Sequence, residues 1–275
     1  MGSLKVLDVI PSPEDDSEKL KKAFQGLGTD EDEIIMILGH RDASQRKQIR
    51  ETYQQLYNES LIDALNSELS GDFRTAVILW TYDPSERDAR LANGALLEII
   101  VEMSCASSPQ HLVAVRQAYC SLFDCSLEEA ILKKVLLGLV TSYRYDKELV
   151  DMDVANLEAD RLHEAIVVYI LSTRNFHQLR TTFECYRKKY GNPIDKLESL
   201  LRMVILCIDS PEKHFAEVVG TSIIGLGTDE DSLTRAIVTR AEIDMMKVRG
   251  EYYKSNLVIG DTSGDYRKFL VTLLG

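Results

Sequence analysis

With 275 residues, 45% of them apolar and 28% charged, the chain can bury a large core, which excludes intrinsic disorder as its default state. Its formal net charge of −12 repels nucleic-acid phosphates and anionic lipid headgroups alike, so nucleic acid is not an expected partner and any membrane contact needs a bridging cation. The five cysteines are odd in number and lack Cys-x-x-Cys spacing, which reads as reduced thiols in an intracellular, cytoplasmic protein.

Residues 1–8 hold no apolar stretch of the length a secretion signal needs, and Val6 stands where a myristoylation pattern takes Ser or Thr, so neither secretion nor acylation is expected. Apolar residues then recur at helical spacing. Leu20, Ala23 and Phe24 form one stripe, Ile34, Ile35, Ile37 and Leu38 a second, Ile49, Tyr53, Leu56 and Tyr57 a third, and Ala76, Val77 and Leu79 a fourth. Helices are expected to stop at Asp83-Pro84-Ser85, near Tyr145-Asp146-Lys147, and at Asp209-Ser210-Pro211. Tyr53, Tyr119, Tyr186 and Tyr252 fall in one register, as do Arg41, Arg174 and Arg240 with Ala106 in the second place. The chain therefore reads as four copies of one unit, at 13–83, 84–146, 147–210 and 211–275. The fold class is all-α, because short amphipathic helices follow one another without a strand pattern and must bury their stripes against each other. The apolar run Met203–Ile208 is far too short for the roughly 20 residues that span a bilayer, so membrane contact is expected to be peripheral.

One loop is duplicated without change. Gly26-Leu27-Gly28-Thr29-Asp30-Glu31-Asp32 returns at Gly225-Leu226-Gly227-Thr228-Asp229-Glu230-Asp231. An acidic residue follows each copy, Glu68 or Asp261, and then Ser70-Gly71-Asp72-Phe73-Arg74 or Ser263-Gly264-Asp265-Tyr266-Arg267. Calcium takes about 6 to 8 oxygens and accepts carbonyls beside carboxylates. Alternate carbonyls of Phe24, Gly26 and Gly28 can converge because glycine tolerates positive φ, and Glu68 adds a bidentate carboxylate. Ile223, Gly225, Gly227 and Asp261 repeat the set. The positions left open suit a lipid phosphate oxygen, and Leu27 and Leu226 at the tips suit the headgroup boundary. The competing reading is that the glycines end one helix while Thr29, with Asp32 three residues on, caps the next. No Asp-x-Asp-x-Asp-Gly string is present, so this is not an EF-hand.

The register also breaks. Units one and four are offset by 199 up to Tyr252 but by 193 from Asp261 onward, and Ala92–Leu97 and Glu164–Val168 leave almost no connector. Either loops were deleted or the sequence passes over flexible residues. The second is expected, and an intact mass of 31.1 kDa would rule it out.

On these residues the chain resembles the annexin family, and plant annexins in particular. Gly26-Leu-Gly-Thr29 followed after 38 residues by Glu68 fits the endonexin pattern, and Gly225-Leu-Gly-Thr228 with Asp261 fits it once six residues are restored. Trp80-Thr-Tyr-Asp-Pro, Glu86-Arg-Asp-Ala, Val115-Arg-Gln-Ala-Tyr119 and Thr239-Arg-Ala-Glu-Ile-Asp244 are similar to plant-annexin strings. The resemblance implies a curved disc of four repeats of about five helices each, calcium on its convex face, acidic phospholipids as partners, and competent loops in the first and fourth repeats only. It offers His40 as a weak haem candidate for a peroxidase and Cys105 with Cys207 as a redox pair. It further offers Asp261-Thr-Ser-Gly264 as a nucleotide signature and Arg187-Lys-Lys189 as a possible actin contact. No catalytic set with interpretable spacing is present. The expectation is a non-enzymatic protein that binds acidic phospholipid membranes through calcium and returns to the cytoplasm. The alternatives are a haem peroxidase or GTP/ATP phosphatase on the same fold, or a scaffold that has lost its metal. Oligomeric state does not follow from the sequence.

Overall fold

A computed structural model describes residues 2–7, 9–25, 28–93, 97–131, 199–223, 228–252 and 263–275. Every regular element among them is helical, as the periodicity predicts. Most of the expected third repeat lies outside the described residues.

The chain divides into two compact units, one of residues 1–88 with 212–275 and the other of residues 89–211. In the first, α1 (Pro13–Ala23) starts where Ser12 and Asp15 form a capping box around Pro13. Acidic residues fill its first turn, and Lys21 and Lys22 its last, which suits the helix dipole. α2 (Glu31–Leu38) and α3 (Ala43–Tyr57) follow, the latter capped by Asp42 and Gln45 and ended by Asn58 in the left-handed region at φ 52°. α4 (Leu61–Glu68) begins at Ser60, whose side chain accepts from the Asp63 amide. α5 (Gly71–Thr81) completes the first repeat, and α6 (Pro84–Ala92) starts at the expected proline.

Leu20, Ile34, Leu38, Ile49, Tyr53, Leu61, Leu65 and Trp80 fill the core that these helices share. Leu56, expected on the α3 stripe, is instead 48% exposed. Ile49 and Tyr53, one turn apart, already fill the space facing α1, so the stripe is narrower than predicted.

The fourth repeat supplies α10 (Pro211–Ile223), α11 (Glu230–Arg240), α12 (Met245–Glu251) and α13 (Gly264–Leu274) to the same unit. The packing is reciprocal. α5 lies on α11 and α13, while α13 lies on α2 and α5, with Phe73 and Phe269 meeting edge to face at 6.0 Å. Buried charges cross this joint. The Arg46 guanidinium stacks 3.7 Å from the Trp80 ring, pairs with Glu242 at 3.1 Å and donates to the Arg41 carbonyl. Trp80 Nε1 donates to the Leu38 carbonyl at 2.7 Å, and Arg87 donates to the Val238 carbonyl. The Ser3 amide donates to the Ala241 carbonyl at 2.8 Å, which ties the amino-terminal segment to the fourth repeat.

The second unit contains α7 (Leu97–Ala106), α8 (Pro109–Phe123) and α9 (Ser199–Asp209), and α7 packs on α9. Ala89, Ala92, Met103, Val115, Tyr119 and Leu127 form its core. α8 repeats the grammar of α3, with a serine N-cap at Ser108 and a left-handed Asp124 at φ 52° after its last turn.

Arg41 and Asp16 form a two-point ion pair at 2.7 and 2.9 Å with both side chains 2% exposed. Removing one partner strands the other charge away from water. Asp16→Asn is therefore expected to cost about 3 kcal/mol, and Asp16→Leu with Arg41→Met to recover most of that loss. Urea unfolding of the three proteins checks it.

Candidate functional site

The turn between α1 and α2 is fixed at both ends by main-chain bonds. The Gln25 amide donates to the Lys22 carbonyl at 3.0 Å, and the Asp30 amide closes the loop onto the Ala23 carbonyl at 2.9 Å. Gly28 holds φ +102°, a conformation that glycine alone adopts cheaply, and no atom lies within 4 Å of where a Cβ would stand. Asp30, at φ −88° and ψ 85°, is the N-cap of α2 and accepts from the Glu33 amide at 3.0 Å. This corrects the alternative that Thr29 is the cap.

The Thr29 hydroxyl points elsewhere. It donates to the Glu68 carboxylate at 3.4 Å and to the Glu68 carbonyl at 3.3 Å, so the loop and the acidic residue 39 positions on stand side by side. Glu68 ends α4 in an exposed position, where its oxygens remain accessible. Ser70 and Gly71, at φ 60°, then turn the chain into α5.

The fourth repeat copies these ends. The Asp229 amide closes onto the Ser222 carbonyl at 2.7 Å, and Asp229 caps α11 at φ −87° and ψ 86°. Ser263 and Gly264, at φ 62°, enter α13 as Ser70 and Gly71 enter α5. Ile223 is buried at the end of α10. Gly26, Leu27, Gly225, Leu226, Gly227 and Asp261 lie outside the described residues.

Two cavities adjoin the first loop. One of about 700 Å³ is lined by Lys22, Gly28, Thr29, Asp32, Asp265 and Lys268 among others. The other, about 340 Å³, is lined by Glu31, Glu68, Asp72, Glu230 and Asp265 together with Tyr266. Burial pushes the Tyr266 phenol up to about 12. The carboxylates of Asp72, Glu230 and Asp231 add to the shift, and the hydrogen bond with Thr234 opposes it. Lys268 bonds Asp32 at 2.8 Å and Asp265 at 3.0 Å, and those bonds hold its ammonium above the usual lysine range.

Among the described residues no three side chains of His, Cys, Asp or Glu come together as a metal cluster. A hard cation held here would draw on backbone oxygen, with Glu68 the carboxylate that the Thr29 hydroxyl holds beside the loop.

The other sequence candidates fall in varied places. His40 follows α2 and places Nδ1 3.2 Å from the Met36 carbonyl. Cys105 and Cys207 occupy facing helices α7 and α9. Burial pushes the Cys105 thiol up to about 11, and Cys207 is 1% exposed, the opposite of the exposed low-pKa thiol that redox chemistry favours. Cys185, Arg187, Lys188 and Lys189 lie outside the described residues. Sequence reasoning missed Lys268, whose counterpart in the first repeat, Thr75, gives no hint of a charge.

Two consequences can be measured. Gly28→Ala forces a side chain into a left-handed backbone and is expected to cost about 1 kcal/mol in a denaturant titration. Tyr266 loses its proton at an ordinary value near 10 when unfolded and near 12 when folded. The stability present below pH 10 should therefore fall as pH rises toward 12, and Tyr266→Phe should flatten that fall in urea midpoints taken across the range.

A family model described as Annexin matches residues 15–80 and 214–273. Annexin D3 of Arabidopsis thaliana is 54% identical and aligns with 100% of this chain and 99% of its own length. That alignment runs over 318 positions, more than the 275 residues here. Among solved structures, annexin III superposes with a TM-score of 0.83 at 29% identity, covering 100% of this chain and 97% of its own. A calcium-bound annexin (Sm)1 gives 0.77 at 28%, covering 100% and 93%.

Proposed function

Because this chain belongs to the annexin family, we propose that it binds acidic phospholipid membranes through calcium held in the glycine loops of its first and fourth repeats. The observation that carries this reading is the hydroxyl of Thr29 bonded to Glu68, which sets the loop beside its acidic partner. Matching closure bonds at Asp30 and Asp229 support extending it to the fourth repeat.

In the first loop, Phe24, Gly26 and Gly28 present carbonyls and Glu68 a carboxylate; Ile223, Gly225, Gly227 and Asp261 do the same in the fourth. Bound calcium supplies the positive charge that a chain of net charge −12 lacks. With one carboxylate for each ion, the protein leaves coordination positions for phosphate oxygens, so calcium and membrane strengthen each other's binding. Leu27 and Leu226 enter the headgroup boundary. No helix among the described residues is long and apolar enough to cross a membrane; the attachment proposed is peripheral and reversible, from the cytoplasm. The four repeats take the boundaries 13–83, 84–146, 147–210 and 211–275. The activity proposed is binding; among the described residues the Cys105 thiol is raised to about 11 by burial and Cys207 is 1% exposed.

Pelleting with phosphatidylserine vesicles tests this. The wild-type chain should pellet with calcium and stay in solution with chelator. Glu68→Gln with Asp261→Asn should lose calcium-dependent pelleting while keeping its helical circular dichroism, and undiminished pelleting would refute the ligand assignments.

A further inference from the structure

Lys268 stands in the fourth repeat but faces the first repeat's loop. Its ammonium lies 2.8 Å from Asp32, in the first turn of α2, and 3.0 Å from Asp265, and it lines the same cavity as Gly28 and Thr29. Asp265 borders the neighbouring cavity too, together with Glu68. A fixed cation thus sits on the acidic rim of the turn assigned to calcium.

The fold does not require it there. The shared strings Ser70–Arg74 and Ser263–Arg267 put Thr75 in the place of Lys268, and α5 packs on α11 as α13 packs on α2. Thr75 spends its hydroxyl on the Gly71 carbonyl of its own helix, at 3.4 Å. The Lys268 side chain is 53% exposed and that of Asp32 73%, so the ion pair contributes little to stability and its charge acts through a solvent-facing cavity. The other cations lining that cavity are Lys19 and Lys22, and its remaining carboxylates are Asp30, Glu31 and Glu33.

We propose that Lys268 is a built-in antagonist of calcium at the first-repeat loop, a tethered ammonium whose charge opposes the incoming ion and sets the loop's affinity low. The inference rests on the calcium reading of that loop. A unit charge about 10 Å from a divalent ion changes affinity roughly two- to fourfold at low ionic strength, and less as salt screens it.

Calcium-45 equilibrium dialysis without lipid, in an Asp261→Asn background so that the first loop reports alone, tests it. Lys268→Thr, which copies the counterpart residue, should tighten calcium about two- to fourfold in 10 mM salt, and the gain should shrink toward none in 0.5 M KCl. Lys268→Arg should keep the parent affinity, because it keeps the charge. An unchanged or weakened affinity in Lys268→Thr would overturn the proposal, as would a gain of the same size at both salt concentrations. A parent protein that binds no calcium, alone or on phosphatidylserine vesicles, would instead remove the reading of the loop itself.

Discussion

The stacking of Arg46 on Trp80, with Glu242 closing on the guanidinium, is the joint on which the functional arrangement depends. Trp80 and Arg46 belong to the first repeat and Glu242 to the fourth. A guanidinium 1% exposed is costly without a partner, so the two ends of the chain are held together by the penalty for parting them. The apolar contact of Phe73 with Phe269 fills the same joint. Both glycine loops therefore belong to one compact unit, although 199 positions separate them.

The local rules at the two loops agree to within a few degrees. Asp30 and Asp229 adopt the same backbone, and Gly71 and Gly264 turn the chain into α5 and α13 with φ of 60° and 62°. Such agreement follows from identical sequence: the same amide closes on the same carbonyl, and the same aspartate caps the next helix. What differs is the charge brought by the other repeat. Lys268 reaches Asp32, whereas Thr75 brings no charge toward α11. The described ends of the two loops are thus geometrically alike, and the charges facing them are unequal.

The net charge of −12 gives this its functional meaning. On the proposed calcium-bridged attachment, such a charge keeps the protein from anionic headgroups until a cation is bound, so the affinity of the loops for that cation would govern attachment. Carbonyl ligands suit the role because they carry no charge to hold calcium tightly in solution. The cysteines stand apart from this chemistry. Cys207 is 1% exposed, and burial holds the Cys105 thiol above its ordinary value, at about 11.

Much of the molecule was legible in sequence because it is local. Helical stripes, the proline-marked starts of α6 and α10, and the duplicated turn with Glu68 at its fixed remove all follow from periodicity and spacing. Thr29 as the cap was misread because Asp30, the next residue, competes for the same role and the loop geometry decides between them. That Thr29 reaches Glu68, that Leu56 faces water, and that Lys268 crosses 236 positions to Asp32 were decided only by tertiary structure. Sequence pattern encodes which face of a helix is apolar; which other face it meets, and which charges that meeting brings together, is set by packing through space.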